Sequence, residues 1–280
     1  MHPIAFKLGT WPIYWYGVLV ALGFVAGLFT ASRRAPVTGM RSEDAADSGL
    51  WIIIGAIIGA RALHVVSYWQ GSYADQPWWE VFMIQRGGLV FYGGLIGASL
   101  ATILYSRVRK VPLWKLADVL APSIALGYVF GRLGCFSKGC CFGSQCSLPW
   151  AVHFPRGHET FPPGADAAIP VHPTQLYDSL LNLGLYLFLA WLYRRKKFDG
   201  QVFAAYLIIY AFTRSFVEHF RGDYHYTPGH IHGGLTPAQW VSVGILATGI
   251  VFYFVLRKRR PVSTNALRTP NAKPQTPNSK

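Results

Sequence analysis

Gly49–Tyr68 reads G-L-W-I-I-I-G-A-I-I-G-A-R-A-L-H-V-V-S-Y. A bilayer core of about 30 Å takes about 20 helical residues to cross, at roughly 1.5 Å rise each. This run is that long, its apolar residues do not alternate with polar ones, and its charge comes only near its end. It reads as a membrane-spanning helix rather than a strand of a barrel, whose signal would be a two-residue alternation. Similar runs recur on both sides of it. Seven spans are expected, at about 13–30, 49–68, 88–106, 114–134, 174–193, 201–220 and 237–256. The first lacks an A-x-A-like cleavage site and is longer than a signal-peptide core, so it is read as a retained span.

Composition agrees. Of 280 residues, 52% are hydrophobic and 14% charged, against about a quarter charged in an ordinary soluble domain. The net charge of +14 invites a nucleic-acid partner, but the basic residues cluster at the ends of apolar runs, where a membrane places them; no nucleic acid is expected. Arg33, Arg34 and Arg41 fall on one side with Arg107, Arg109 and Lys110. The same side holds Arg194, Arg195, Lys196, Lys197, Arg257, Lys258, Arg259 and Arg260. The opposite side has Lys7, Arg86, Lys138, Arg156 and Arg221. The richer side is cytoplasmic by the positive-inside rule. The expectation is therefore an all-α, polytopic membrane helix bundle of seven helices, N-terminus outside and C-terminus cytoplasmic. Residues 1–260 form one membrane domain with an irregular outer loop at about 135–173, and 261–280 form a polar, disordered tail. Four G-x-x-x-G pairs (Gly23/Gly27, Gly55/Gly59, Gly93/Gly97, Gly127/Gly131) are expected to let helix backbones approach closely.

Polar groups in a span are costly, about 2.5–3.5 kcal/mol for a mid-helix Arg on insertion scales. Here they gather toward the outer ends: Tyr16, Arg61, His64, Tyr92, Arg132, Gln175, Asp178, Arg214, Glu218 and His219. One such residue could snorkel to the interface; the whole set points to a polar cavity open to the outer leaflet. In R-S-F-V-E-H-F-R, Arg214, Glu218 and Arg221 stand at i, i+4 and i+7 and are expected on one helix face. Glu218 can pair with either arginine, leaving the other for a phosphate. Gly131, Gly134, Gly139 and Gly143 allow tight turns beside Arg132, a plausible anion site.

Cys135, Cys140, Cys141 and Cys146 all lie in the outer loop. An oxidising compartment makes disulfides the default, in any of three connectivities, and at least one is expected, with no catalytic thiol. No metal centre is expected: the cysteine spacing lacks the usual C-x-x-C pairs, and His225–His232 reads as a solvated loop.

Taken together, these stretches resemble the prolipoprotein diacylglyceryl transferases. The resemblance is carried by Y-W-Y-G at Tyr14–Gly17, G-A-R at Gly59–Arg61, and G-L-V-F-Y-G-G-L-I-G at Gly88–Gly97. It continues through A-D-V-L-A-P at Ala117–Pro122, G-R-L-G at Gly131–Gly134, H-P-T-Q-L-Y at His172–Tyr177, and R-S-F-V-E-H-F-R at Arg214–Arg221. It implies an enzyme of the bacterial inner membrane with its active site toward the periplasmic face, without a cofactor and monomeric. Its donor would be phosphatidylglycerol, and its acceptor the lipobox cysteine thiol in the signal peptide of an exported preprolipoprotein. A thioether would form and glycerol phosphate would leave. Arg132 and Arg214 are then assigned to the headgroup phosphate, with Tyr92 and Glu218 beside them in the catalytic set. Tyr16, Arg61, Arg221 and Gln175 complete the substrate contacts. Two departures stand out. The family's H-G-G-L reads Tyr92-Gly93-Gly94-Leu95 here, and its asparagine and glutamate beyond Gly134 are Cys135 and Cys140. The alternative weighed against this reading is a membrane thiol oxidoreductase passing electrons from the outer cysteines to quinone.

Overall fold

The computed structural model describes residues 4–74, 76–84, 87–155, 157–161, 166–222 and 235–258. The expected tail at 261–280 and the histidines between His225 and His232 lie outside the described residues.

The chain begins with a hairpin that hydropathy did not foretell: β1 (Ile4–Leu8) pairs antiparallel with β2 (Trp11–Tyr14). A two-residue turn needs left-handed backbone, and Gly9 supplies it at φ +60°. Helices follow: α1 (Trp15–Arg34), α2 (Ser42–Ser67), the single-turn α3 (Trp69–Ser72), α4 (Phe91–Val108), α5 (Leu113–Lys138), α6 (Thr174–Tyr193), α7 (Gln201–Glu218) and α8 (Pro237–Arg257). Among the described residues, five segments are long and apolar enough to cross a membrane: Trp15–Thr38, Ser42–Ser67, Leu113–Lys138, Thr174–Tyr193 and Pro237–Arg257. α4 and α7 stand where the third and sixth spans were expected; each has 18 residues.

Burial runs opposite to that of a soluble protein. Large apolar side chains face outward along the helices, among them Val25, Ile58, Leu180, Leu187, Phe212 and Phe254. Asp118, Gln175, Asp178, Asn182 and Glu218 are buried. Lipid solvates the first set, and only the protein can satisfy the second.

The helices fall into two compact units. One combines residues up to Thr30 with those from Ala117 onward; the other is Ala31–Leu116. In the second unit, α2 and α4 cross on their glycines. A Cβ added at Gly59 would run into the Gly93 carbonyl and the Gly97 backbone, and one at Gly55 into the Gly97 carbonyl and Ala101. In the first unit, Gly23 and Gly27 of α1 lie against α5: a Cβ at Gly23 would meet Phe130 at 2.9 Å, and the Gly27 carbonyl accepts from Ser123 Oγ at 2.6 Å. Gly131 departs from the expectation. Among the described residues, a Cβ there would meet nothing within 4 Å.

One end of α5 is fastened to the start of α7. Asp118, fully buried, accepts from the backbone N–H groups of Gly200, Val202 and Phe203 at 2.8–3.0 Å and from Lys196 Nζ at 2.8 Å. A carboxylate at a helix N-terminus satisfies donors that have no partner within the helix and meets the positive end of its dipole. Lys196 also reaches Asp199. Arg132 lies fourteen residues further along α5, about 21 Å away at 1.5 Å per residue.

Candidate active site

Within the first unit the polar residues near the far end of α5 come together. Arg132 Nη2 lies 2.6 Å from Asp178 Oδ2 on α6, with the two side chains 11% and 3% exposed. Its Nε donates to the Tyr128 hydroxyl at 3.1 Å, one turn back on α5. The Tyr128 ring meets Tyr210 of α7 edge-on at 5.7 Å. A guanidinium has five N–H donors in a fixed fork, and these two bonds hold its plane while using two of them.

The second cluster is built around Glu218, whose side chain is fully buried. Glu218 Oε2 accepts from Arg214 Nη1 at 2.5 Å and lies 3.9 Å from Arg221 Nε. Its Oε1 accepts from Thr236 Oγ1 at 3.1 Å. Thr236 in turn caps α8 through a reciprocal bond with Gln239. Arg221 corrects the helical-face expectation: α7 ends at Glu218, and Arg221 lies beyond it in an antiparallel bridge with Gly143. It reaches Glu218 from the loop rather than from the helix. Asp178 sits in the fields of Arg132, Arg214, Arg221 and Glu218 at once, so the two clusters form one electrostatic unit. The expectation that one of the paired arginines stands apart for a phosphate is also corrected, since Glu218 engages both.

The H-P-T-Q-L-Y stretch explains itself in this setting. Thr174 Oγ1 donates to the Cys141 carbonyl and Gln175 Nε2 to the Cys140 carbonyl, each at 2.7 Å. The buried Gln175 Oε1 has no hydrogen-bond partner among the described residues. Tyr177 hydroxyl lies 3.1 Å from His172 Nδ1 and accepts from Trp150 Nε1 at 2.8 Å. Tyr16, at the start of α1, lies against Gly134, where a Cβ would come within 3.0 Å of its ring. Its hydroxyl shares the electrostatic environment of Arg132 and of Cys135, Cys140 and Cys141.

All four cysteines are free thiols in this structure. Cys135, Cys140 and Cys141 have their sulfurs within 4.8 Å of one another. Hydrogen bonds from Cys135 and Cys140, with the fields of Arg221 and Arg132, lower the Cys141 thiol below its ordinary pKa. The bonds to Cys135 and Cys141 raise that of Cys140.

Arg61 and Tyr92 belong to the second unit. Arg61 is buried and spends its guanidinium on backbone carbonyls: Val81 and Glu80 at 2.7 Å, Gly87 at 2.8 Å and Gly88 at 3.3 Å. These bonds clamp the backbone at 80–81 and at 87–88. Tyr92 lies in the first turn of α4 with about half its surface exposed. Reading by sequence placed Asp178 in the polar set without naming its partner and gave no role to Tyr128 or Thr236. Tyr128 was findable, being one turn from Arg132; Asp178 and Thr236 owe their roles to contacts far apart in the chain.

The model of the prolipoprotein diacylglyceryl transferase family matches residues 3–255. The chain belongs to this family. Among its curated relatives is a phosphatidylglycerol–prolipoprotein diacylglyceryl transferase of Clostridium tetani, 34% identical over 93% of this chain and the whole of that protein. One from Synechococcus elongatus is 35% identical over 92% of this chain and 90% of its own length. One from Oceanobacillus iheyensis is 32% identical over 95% and 91%. These relatives carry the transferase's name, and nothing in them supports the thiol oxidoreductase alternative.

Proposed function

We propose that this chain transfers the diacylglyceryl group of phosphatidylglycerol to the lipobox cysteine thiol of exported preprolipoproteins. This is the first step of bacterial lipoprotein maturation. The acceptor sulfur forms a bond to the glyceryl carbon, that carbon's bond to the phosphate oxygen breaks, and glycerol phosphate leaves. The observation that supports this best is the linked pair of buried clusters, Arg132–Asp178 and Arg214–Glu218–Arg221. Largely enclosed guanidiniums whose buried carboxylate partners fix their orientation are pre-aimed donors for charge developing on a leaving phosphate. Arg132 and Arg214 bind and stabilise that phosphate. Gln175, Tyr16 and Arg221 line the surrounding headgroup site, and Arg61 is assigned to substrate binding. The acceptor thiol, of ordinary pKa about 8.5, must lose its proton; Glu218 is the carboxylate assigned to this catalytic set. Tyr92, with pKa about 10, is a poor base at neutral pH and serves as a hydrogen-bond donor.

The enzyme works as a monomer in the bacterial inner membrane, crossing it seven times, with α4 and α7 completing the spans. Its N-terminus and active site face the periplasm and its C-terminus the cytoplasm, following the basic residues. A fluorescent reporter fused behind Lys258 is expected to give a cytoplasmic signal. A periplasmic signal overturns the orientation and puts the site on the wrong leaflet. Expression in bacteria depleted of their own diacylglyceryl transferase tests the function. Growth and lipoprotein modification are expected to return with the wild-type chain. Unmodified prolipoprotein accumulating despite normal levels of the protein would count against the proposal.

A further inference from the structure

The three clustered thiols do more than fill the family's polar positions. We propose that Cys135, Cys140 and Cys141 form a binding site for a thiophilic closed-shell cation, for which Zn²⁺ is the probe. The sulfurs lie within 4.8 Å of one another. Zinc–sulfur bonds of about 2.3 Å set tetrahedral ligand sulfurs roughly 3.8 Å apart, so side-chain adjustments of about 1 Å close the set around a metal.

The backbone is already arranged for it. Gly139, at φ +83°, ends α5, and the N–H groups of Gly139 and Cys140 both donate to the Cys135 carbonyl, at 2.9 and 3.1 Å. That turn carries the chain back over Cys135. Cys141 then adopts φ +63°; among the described residues, only it and Lys110 do so without being glycine. Left-handed backbone is strained for a side-chain-bearing residue, and such strain persists where surrounding contacts impose it. Here they do: Thr174 and Gln175, both buried, grip the carbonyls of Cys141 and Cys140. Outer groups that fix the ligand-bearing chain in this way are a regular feature of metal sites. A disulfide alone would explain two sulfurs, whereas three are gathered.

Charge also suits a cation held by thiolates. Three thiolates and Zn²⁺ leave one net negative charge, and the fields of Arg132 and Arg221 reach Cys141. Binding releases up to three thiol protons to solvent, and no electrons move. Three protein ligands leave a fourth position for water or another donor. Cys146 is not part of the cluster.

The proposal does not depend on the transferase reading, and its test reads metal and thiols rather than turnover. Full-length protein, reduced and purified in detergent, is incubated with Zn²⁺ and desalted. Metal is counted by elemental analysis, and free thiols by alkylation before and after chelation. One zinc per chain is expected, with three of the four thiols protected until a chelator is added. Cys135→Ser, Cys140→Ser and Cys141→Ser should each weaken retention at least tenfold, and Cys146→Ser should retain zinc as the wild type does. No zinc retained by the wild type overturns the proposal, whatever the folding of the variants. So does zinc that persists in all three substituted proteins, or protection that survives chelation and yields only to reductant, the mark of a disulfide.

Discussion

Arg132→Ala is expected to lower the rate of diacylglyceryl transfer by about 10²-fold or more, since one donor aimed at developing charge is typically worth roughly 2.7–4 kcal/mol in the transition state. The structure adds a second loss that must be separated from the first. Asp178, 3% exposed at its side chain, has Arg132 as its ion-pair partner, and removing one member of a buried pair costs about 3–5 kcal/mol of stability. Asp178→Asn is the control, because the double variant leaves no buried charge stranded. Arg132→Ala/Asp178→Asn should therefore recover much of the thermal stability lost by Arg132→Ala and none of the activity. Arg132→Lys should restore activity only in part, since an ammonium keeps the charge and loses the planar fork that now spans Tyr128 and Asp178. Near-normal initial rates for Arg132→Ala, measured with phosphatidylglycerol and a lipobox peptide, would remove this residue from the phosphate site.

Glu218→Ala should cost about 3–5 kcal/mol of stability. The Glu218 side chain is fully buried and is engaged from two sides: it accepts from Arg214 and Thr236, and the Arg221 guanidinium lies 3.9 Å away. Without it a buried Arg214 is uncompensated, and the threonine that caps α8 loses its anchor. Pairing Glu218→Ala with Arg214→Met should regain much of that loss, because apolar groups in place of a whole buried ion pair are often close to neutral. Unfolding of the purified proteins by heat, followed by circular dichroism, reads both changes. A loss below about 1 kcal/mol for Glu218→Ala would mean that this carboxylate is not what holds the two arginines. Glu218→Gln separates support from chemistry. It keeps an acceptor for Thr236 and gives up the charge, so a protein that folds as the wild type but does not transfer assigns the proton to this residue.

Much of this was legible in the residues, and the boundary has a physical basis. Apolar runs of about 20 residues report membrane helices because the bilayer sets their length. Small residues four apart report close helix crossings because only they leave room for backbone, as Gly55, Gly59, Gly93 and Gly97 do. Gly131 has the same spacing without that use: spacing shows what is permitted, and the neighbour decides what is used. The arginines stood out because a charge in a span is costly. Their pairings did not, since Asp178 reaches Arg132 from another helix and Thr236 reaches Glu218 from the start of α8. Arg221 was misplaced because the helical repeat was extended past the end of α7. The gathering of three sulfurs was invisible for a similar reason. It depends on the left-handed turn at Cys141, which α6 side chains impose, and spacing alone argued against a metal.

The central claim is a chemical one, and a single mass measurement addresses it. Purified protein is incubated with phosphatidylglycerol of defined acyl chains and a synthetic peptide carrying a lipobox cysteine, and the peptide is analysed by mass spectrometry. The account predicts a product heavier by one diacylglyceryl group, located on the cysteine sulfur as a thioether stable to reductant, with glycerol phosphate released in equal amount. A peptide recovered unmodified, or returned as a disulfide, from folded protein would contradict it.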